Sequence, residues 1–180
     1  MGLLISMKKT DNMIDRYKFR YVFLILSFLY LCACTSVIKK PEQNDFIYKI
    51  NVESEFDPLY DRTYKSLEDS NFYVVRELNI GATMKKNRKH WGENYNKNGF
   101  EEVRTLVLCN VWYANEVLNL DPDLIALCPL AVALLHKAGR TTIVYARRAP
   151  FAEGSAAHDI LSEVDSKIIK AIKKAAMGGG

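Results

Sequence analysis

The sequence predicts an α+β domain: a largely antiparallel sheet of about five strands covered by helices on one face, in the order β-α-β-β-α-β-β-α. Three observations lead there. Short β-branched and aromatic runs alternate with helix-period segments from Asp45 onward. Ala138-Gly139 joins two of those runs as a hairpin. The chain closes on a long amphipathic segment, Ser155 to Ala176, with Ile160, Val164, Ile168, Ile172 and Ala175 along one face.

Taken in order, "FIYKINVES" (Phe46 to Ser54) alternates as a strand at Ile50 and Val52. Asp57 reads as the N-cap of the next helix, with Pro58 at its first position and Leu59, Tyr60, Tyr64 and Leu67 at helical spacing. "FYVVRELNI" (Phe72 to Ile80) is a strand by composition, and residues 81 to 100 are polar and poorly patterned. "VRTLVLC" (Val103 to Cys109) reads as a buried strand, after which Asn110 caps a short helix through Leu118. Pro129 marks an edge, a bulge or a strand start, with the strand proper from Leu130, and "RTTIVYARRAPF" returns as the second arm of the hairpin.

The first 44 residues have another logic. "FLYLCACTS" (residues 28 to 36) ends an apolar run, Tyr21 to Ala33, that is thirteen residues long. A membrane-spanning helix needs about twenty. Lys8, Lys9, Arg16, Lys18 and Arg20 precede the run, giving the order of charge, apolar core and small residues found in secretory signals. Leu31-Cys32-Ala33-Cys34 resembles the lipobox of bacterial lipoproteins, in which the last cysteine becomes the lipidated N-terminus. The Met1-Gly2 start also fits the loose myristoylation pattern, but a myristoylated chain has no need of the apolar run, and Met7 before Lys8-Lys9 is the more ordinary signal start.

The expected organisation is therefore a lipoprotein signal peptide over 1–34 ending in lipidated Cys34, a flexible tether over 35–44 ("TSVIKKPEQN"), one α+β domain over 45–177 and a glycine tail over 178–180. Thr35 is not the aspartate that retains lipoproteins at the inner membrane in enterobacterial-type sorting, so an outer-membrane, periplasm-facing location is favoured.

Of 25 basic and 21 acidic residues, the first 34 hold 5 and 2, which leaves the mature chain near +1. A nucleic-acid partner, which asks for a clustered positive face, is not expected. The run Lys85, Lys86, Arg88, Lys89 and His90 reads as a solvated loop or helix face, with contact to anionic headgroups as its alternative. Of four cysteines only Cys109 and Cys128 fall in the domain, too few for a disulfide scaffold.

Neither they nor His90, His136 and His158 show CxxC or HxxxH spacing, so no metal site is read. No GxSxG, Walker or GxGxxG pattern occurs, and no catalytic residue or cofactor is assigned. Trp91, Tyr95, Phe100, Trp112 and Tyr113 read as core and rim packing. The candidate ligand-binding residues are Cys109, Asn110 and Trp112, at a strand-to-helix junction where a thiol near a helix N-terminus favours thiolate. The plainer alternative is that Cys109 ends a buried strand and Asn110 caps the helix.

Cys109, Asn110, Ala114, Glu116, Leu118, Asp121-Pro122, Pro129 and Pro150 fall into step with a family pattern of a strand ending in Gly-x-Cys-Asn-Pro, a short helix, an Asp-Pro pair, a strand-opening Pro-Cys and a hairpin ending before proline. Upstream, "LNIGATMKK" (Leu78 to Lys86) is similar to the family's second strand and its exit. On these residues the chain resembles the domain-of-unknown-function 302 family, also called TT-seventeen-fifty-one-like. Val111 replaces the family's proline, and Cys128 precedes Pro129 where the family's cysteine stands at Leu130, so only Cys109 and Asn110 carry over. The resemblance implies a TATA-binding-protein-like fold with a curved antiparallel sheet, often dimeric, and no settled activity.

The expectation is a bacterial envelope lipoprotein whose non-enzymatic domain binds a small ligand or an envelope protein and forms a homodimer. The alternative is a thiol-dependent redox or metal-handling protein using Cys109 and Cys128.

Overall fold

A computed structural model describes residues 45–178. The expected leader with Cys34, the tether through residue 44 and the last two glycines lie outside the described residues. Five strands, β1 (Ile47–Glu53), β2 (Tyr73–Asn79), β3 (Glu102–Cys109), β4 (Leu130–Lys137) and β5 (Arg140–Ala146), form one sheet in the order β1-β5-β4-β3-β2, every neighbouring pair antiparallel. The helices are α1 (Phe56–Glu68), α2 (Ile80–Lys86), α3 (Arg88–Trp91), α4 (Val111–Leu120) and α5 (His158–Ala176).

Period-two alternation decides which side of the sheet is core. In β4, Leu130, Val132, Leu134 and His136 are buried while Ala131, Ala133 and Leu135 are not, and Ile143 and Tyr145 of β5 continue the buried face. Leu59 and Leu67 of α1 and Val164, Ile168 and Ile172 of α5 pack on that face with Leu106 and Leu108. Side chains of α1 bond to backbone carbonyls of α5: Ser66 Oγ donates to Ala171 O (2.8 Å) and Arg62 Nε to Ala175 O (3.1 Å). Helices thus cover one face, as the sequence predicts.

The hairpin forms as read, because Ala138 (φ 51°) and Gly139 (φ 72°) both take the left-handed conformation that a two-residue turn between twisted strands requires. Pro129 precedes β4, which is the central strand, so it marks a strand start and not an edge. The sequence missed α2 and α3 in the polar stretch: seven and four residues give too few turns for a periodic signal, and α2 is set by its cap, Asn79 Oδ1 accepting from Ala82 N (2.8 Å). The basic run there is exposed on these two short helices. At Gly81 the chain comes close to β3; an added Cβ would meet Val103 N at 3.1 Å.

Two helix starts differ from expectation. Asp57 is not the N-cap of α1: the helix begins at Phe56, whose buried ring stacks on Tyr60 (centroids 5.5 Å) beneath the Arg104 guanidinium (4.9 Å). Asp57 sits in the first turn, 3.9 Å from Arg104. α5 begins at His158 instead of Ser155, because Ser155 Oγ accepts from Ala157 N (3.1 Å) and donates to Asp121 (2.6 Å), holding a turn before the helix.

Two buried phenols give the fold a pH response. Burial, then the Asp165 carboxylate, pushes the Tyr145 phenol well above its ordinary range; burial and the hydrogen bond to Glu77 do the same for Tyr60. A phenol is neutral when protonated, so a raised pKa in the folded state means that only the unfolded chain loses the proton just above pH 10. Stability should be unchanged through neutral pH and fall above about pH 10, by up to about 1.4 kcal/mol per pH unit for Tyr145 alone. Urea midpoints at pH 8 and pH 11 test this; equal values would refute it.

Candidate functional site

The predicted junction is built by Asn110. β3 ends at Cys109, which pairs with Tyr73 of β2, and the next side chain turns back as a cap. Asn110 Oδ1 accepts from Trp112 N (3.0 Å) and Tyr113 N (3.1 Å), two of the N–H groups that a helix start leaves open. Its Nδ2 donates to Asn71 O (2.8 Å), fastening the α1–β2 turn to α4. With three internal bonds the amide is a clamp that caps α4 and ties it to the α1–β2 turn.

Tyr113 then separates two spaces. Beneath it a cavity of about 30 Å³ is lined by Phe72, Leu108, Cys109, Cys128 and Val164 among others. The cavity has room for a water molecule or two, not for an organic ligand. The structure therefore brings Cys109 and Cys128 to one place; both are half-buried and free, not bonded to each other. Burial, then proximity to Cys109, pushes the Cys128 thiol up, against a smaller opposite effect of Arg148. Cys128 is accordingly kept protonated and a weak nucleophile at neutral pH.

On the other side of Tyr113 lies a groove of about 440 Å³, within the range of small-molecule sites. It is lined by Ser70 and Asn71 of the α1–β2 turn, Tyr73 at the start of β2, Val111 and Trp112 of α4, and Glu163 and Lys167 of α5. Trp112 is 56% exposed and Tyr73 54%, large values for such side chains. Trp112 meets Tyr113 edge-on (centroids 4.9 Å, 80°), and Tyr113 lies parallel to buried Phe72 (5.7 Å, 3°), so the exposed indole stands on a fixed aromatic column.

Tyr113 Oη donates to Glu163 (2.7 Å), whose carboxylate also takes Lys167 Nζ (3.0 Å). The Tyr113 bond, with Lys167 in support, holds the Glu163 carboxyl below its usual range, and bonds to Tyr113 and Glu163 hold the Lys167 ammonium above its own. Both stay charged and cancel each other.

The histidines do not join this site. His136 is buried with Nδ1 on Thr141 Oγ1 (2.8 Å), and His158 Nδ1 lies 3.4 Å from Asp159. Among the described residues no three His, Cys, Asp or Glu side chains gather as a metal-holding group. Tyr73, Glu163 and Lys167 were not visible as site residues, because they come from segments separated by about forty to ninety positions and only the folded sheet aligns them. Exposed aromatic residues beside a cap were the available signal, and Trp112 alone was singled out.

The family model for Domain of unknown function DUF302 matches residues 48–175, from β1 to the last turn of α5. The chain belongs to the DUF302 family. A crystal structure of an uncharacterized conserved DUF302 protein from Bacillus stearothermophilus is similar in fold, with a TM-score of 0.63 at 16% identity, covering 73% of this chain and 98% of that one. No curated protein matches. Cys109, Asn110 and Trp112 all lie inside the DUF302 match.

Because Asn110 satisfies two helix N–H groups and one carbonyl at once, Asn110→Ala should cost about 1–2 kcal/mol in urea unfolding, and Asn110→Asp, which keeps the acceptor but loses the donor, less. Equal midpoints for Asn110→Ala and the parent would remove the clamp from this account.

Proposed function

We propose that this DUF302 protein is a bacterial envelope lipoprotein, acylated at Cys34 and held on the periplasmic side of the outer membrane, whose domain is a non-enzymatic binding module for a small ligand or an envelope protein. The observation that carries the reading is the groove beside Asn110 and Trp112. It has the volume of a ligand site, an exposed indole, and no group set to perform chemistry. Self-association belongs to the same reading: the sheet face opposite the helices presents Val107, Ala131, Ala133 and Val144, none fully buried, and would serve a second copy.

Two measurements test it. Radiolabelled palmitate should enter the parent chain and not Cys34→Ala; labelling that survives the substitution refutes the anchor. In a Trp91→Phe chain, Trp112 is the remaining indole. Its emission should shift to shorter wavelength and resist acrylamide quenching when whole envelope extract is added. An unchanged spectrum refutes the binding module.

A second reading, thiol-dependent redox or metal handling, is favoured by one observation, that Cys109 and Cys128 line the same cavity. The raised Cys128 pKa and the narrow space weigh against it. Alkylation of the native protein with and without reductant, with a metal assay on the same sample, separates the two. Thiols that react only after denaturation, with no copurified metal, leave the binding module.

A further inference from the structure

We infer that the Trp112 groove is a site for an uncharged saccharide, stacked by its C–H face on the indole and held at its hydroxyl rim by the polar side chains that line the same groove. The inference rests on the binding-module reading and names its ligand class.

Charge excludes most alternatives. Glu163 and Lys167 are the ionisable pair of the groove, 3.0 Å apart, and neutralise one another. A phosphate or carboxylate ligand would have to compete with Glu163 for Lys167, and a cation would have to displace Lys167 from Glu163. The hydroxyl and amide side chains of the lining, from Ser70, Asn71 and the clamped Asn110, carry no charge. Ser70 Oγ already donates to Ser66 O (2.8 Å), so toward a ligand it serves as an acceptor for a hydroxyl.

Shape and surface exclude others. An extended peptide pairing along the edge strand β2 would meet the irregularity between Val74 and Arg76, which breaks the regular register of that strand. A wholly apolar ligand would bury the Asn71 amide and strip water from the Glu163–Lys167 pair without offering either a new hydrogen bond. A sugar ring has one face of C–H groups, electropositive enough to be drawn to the negative face of an indole, and a rim of hydroxyls that need hydrogen bonds. Trp112 supplies the first, and Ser70, Asn71 and the outer edge of the Glu163–Lys167 pair the second. Tyr73, about as exposed and lining the same groove, gives a second ring for the same unit or its neighbour. The Trp112–Tyr113–Phe72 column fixes the platform before the ligand arrives, which lowers the ordering cost of binding.

The test uses the full lipidated chain with Trp91→Phe in zwitterionic detergent micelles. Chitotetraose, whose rings carry acetamido groups, and maltotetraose, whose rings carry hydroxyls only, are titrated separately and Trp112 emission is read. A saturable blue shift with either sugar, weakened about tenfold or more by Tyr73→Ala, is the expected result. Tyr73 is half-exposed, so its variant should keep the parent's urea midpoint, and affinity loss then reports contact and not unfolding. No response to either sugar up to tens of millimolar, or a response to inorganic phosphate instead, overturns the inference. If envelope extract still shifts Trp112 while both sugars fail, the saccharide assignment falls and the binding module stands; if neither shifts it, both fall.

Discussion

Asp165→Ala should destabilise the domain by about 3–5 kcal/mol, among the largest losses available to a single polar residue in this fold. Asp165 is 1% exposed, in the middle of α5. Its carboxylate accepts from Tyr145 Oη (2.7 Å), Arg148 N (2.9 Å) and Ala149 N (3.0 Å), and Arg147 Nε lies 3.8 Å away. Alanine leaves a buried hydroxyl and two backbone N–H groups without acceptors, each costing about 1–3 kcal/mol when unsatisfied. Asp165→Asn retains one acceptor oxygen but points an NH₂ at donors, and should fall between alanine and the parent. Tyr145→Phe removes one donor and keeps the carboxylate's other partners, so about 1 kcal/mol is expected. Urea unfolding of the three variants checks the order, and a loss below 1 kcal/mol for Asp165→Ala would contradict it.

This carboxylate also shows where the sequence was readable. The strands were legible because one covered face imposes alternation, and β4 and β5 carry it almost without exception. Asn110 was legible as a cap because capping is local: its partners, Trp112 and Tyr113, are two and three residues away. Asp165 was overlooked, yet it lies at helical spacing with Leu161 and Ile168 in the buried stripe of α5, and a charge inside an apolar stripe is a signal that its partners arrive from elsewhere. Those partners lie near the end of β5 and just after it, sixteen to twenty residues earlier, and only the fold brings them. The groove has the same character at longer range. Tyr73, Trp112 and Lys167 have no common period or motif, and the cavity joins Cys109 to Cys128 only because β3 and β4 pair in the register Leu108↔Leu130. Register is set by the packing of a whole face, so a reading of local pattern stops short of it.

Phe72→Ala is the second large loss expected, about 3–5 kcal/mol, and it bears on the site as well as on the core. The ring is 0% exposed, sits just before β2 and lies parallel to Tyr113 at 5.7 Å. Removing it takes away buried apolar surface and joins the lost volume to the roughly 30 Å³ already present beneath Tyr113, so the lining has little chance to collapse. Phe72→Leu keeps most of the volume and should cost no more than about 1.5 kcal/mol. The two variants then separate packing from placement. Tyr113 is held on one face by Phe72 and at its hydroxyl by Glu163, and Trp112 stands on Tyr113; with Phe72 gone, the ring keeps its hydroxyl bond and the Lys167 ammonium 5.3 Å from its centroid but loses the stacked face that sets its plane. In conditions where Phe72→Ala remains folded, Cys109 and Cys128 should alkylate faster than in the parent, because the enlarged cavity admits the reagent, and Trp112 should show a broader range of emission lifetimes. Phe72→Leu should show neither change. If Phe72→Ala cost under 1.5 kcal/mol and left both thiol reactivity and the Trp112 lifetimes as in the parent, the aromatic column could not be what holds the groove in shape.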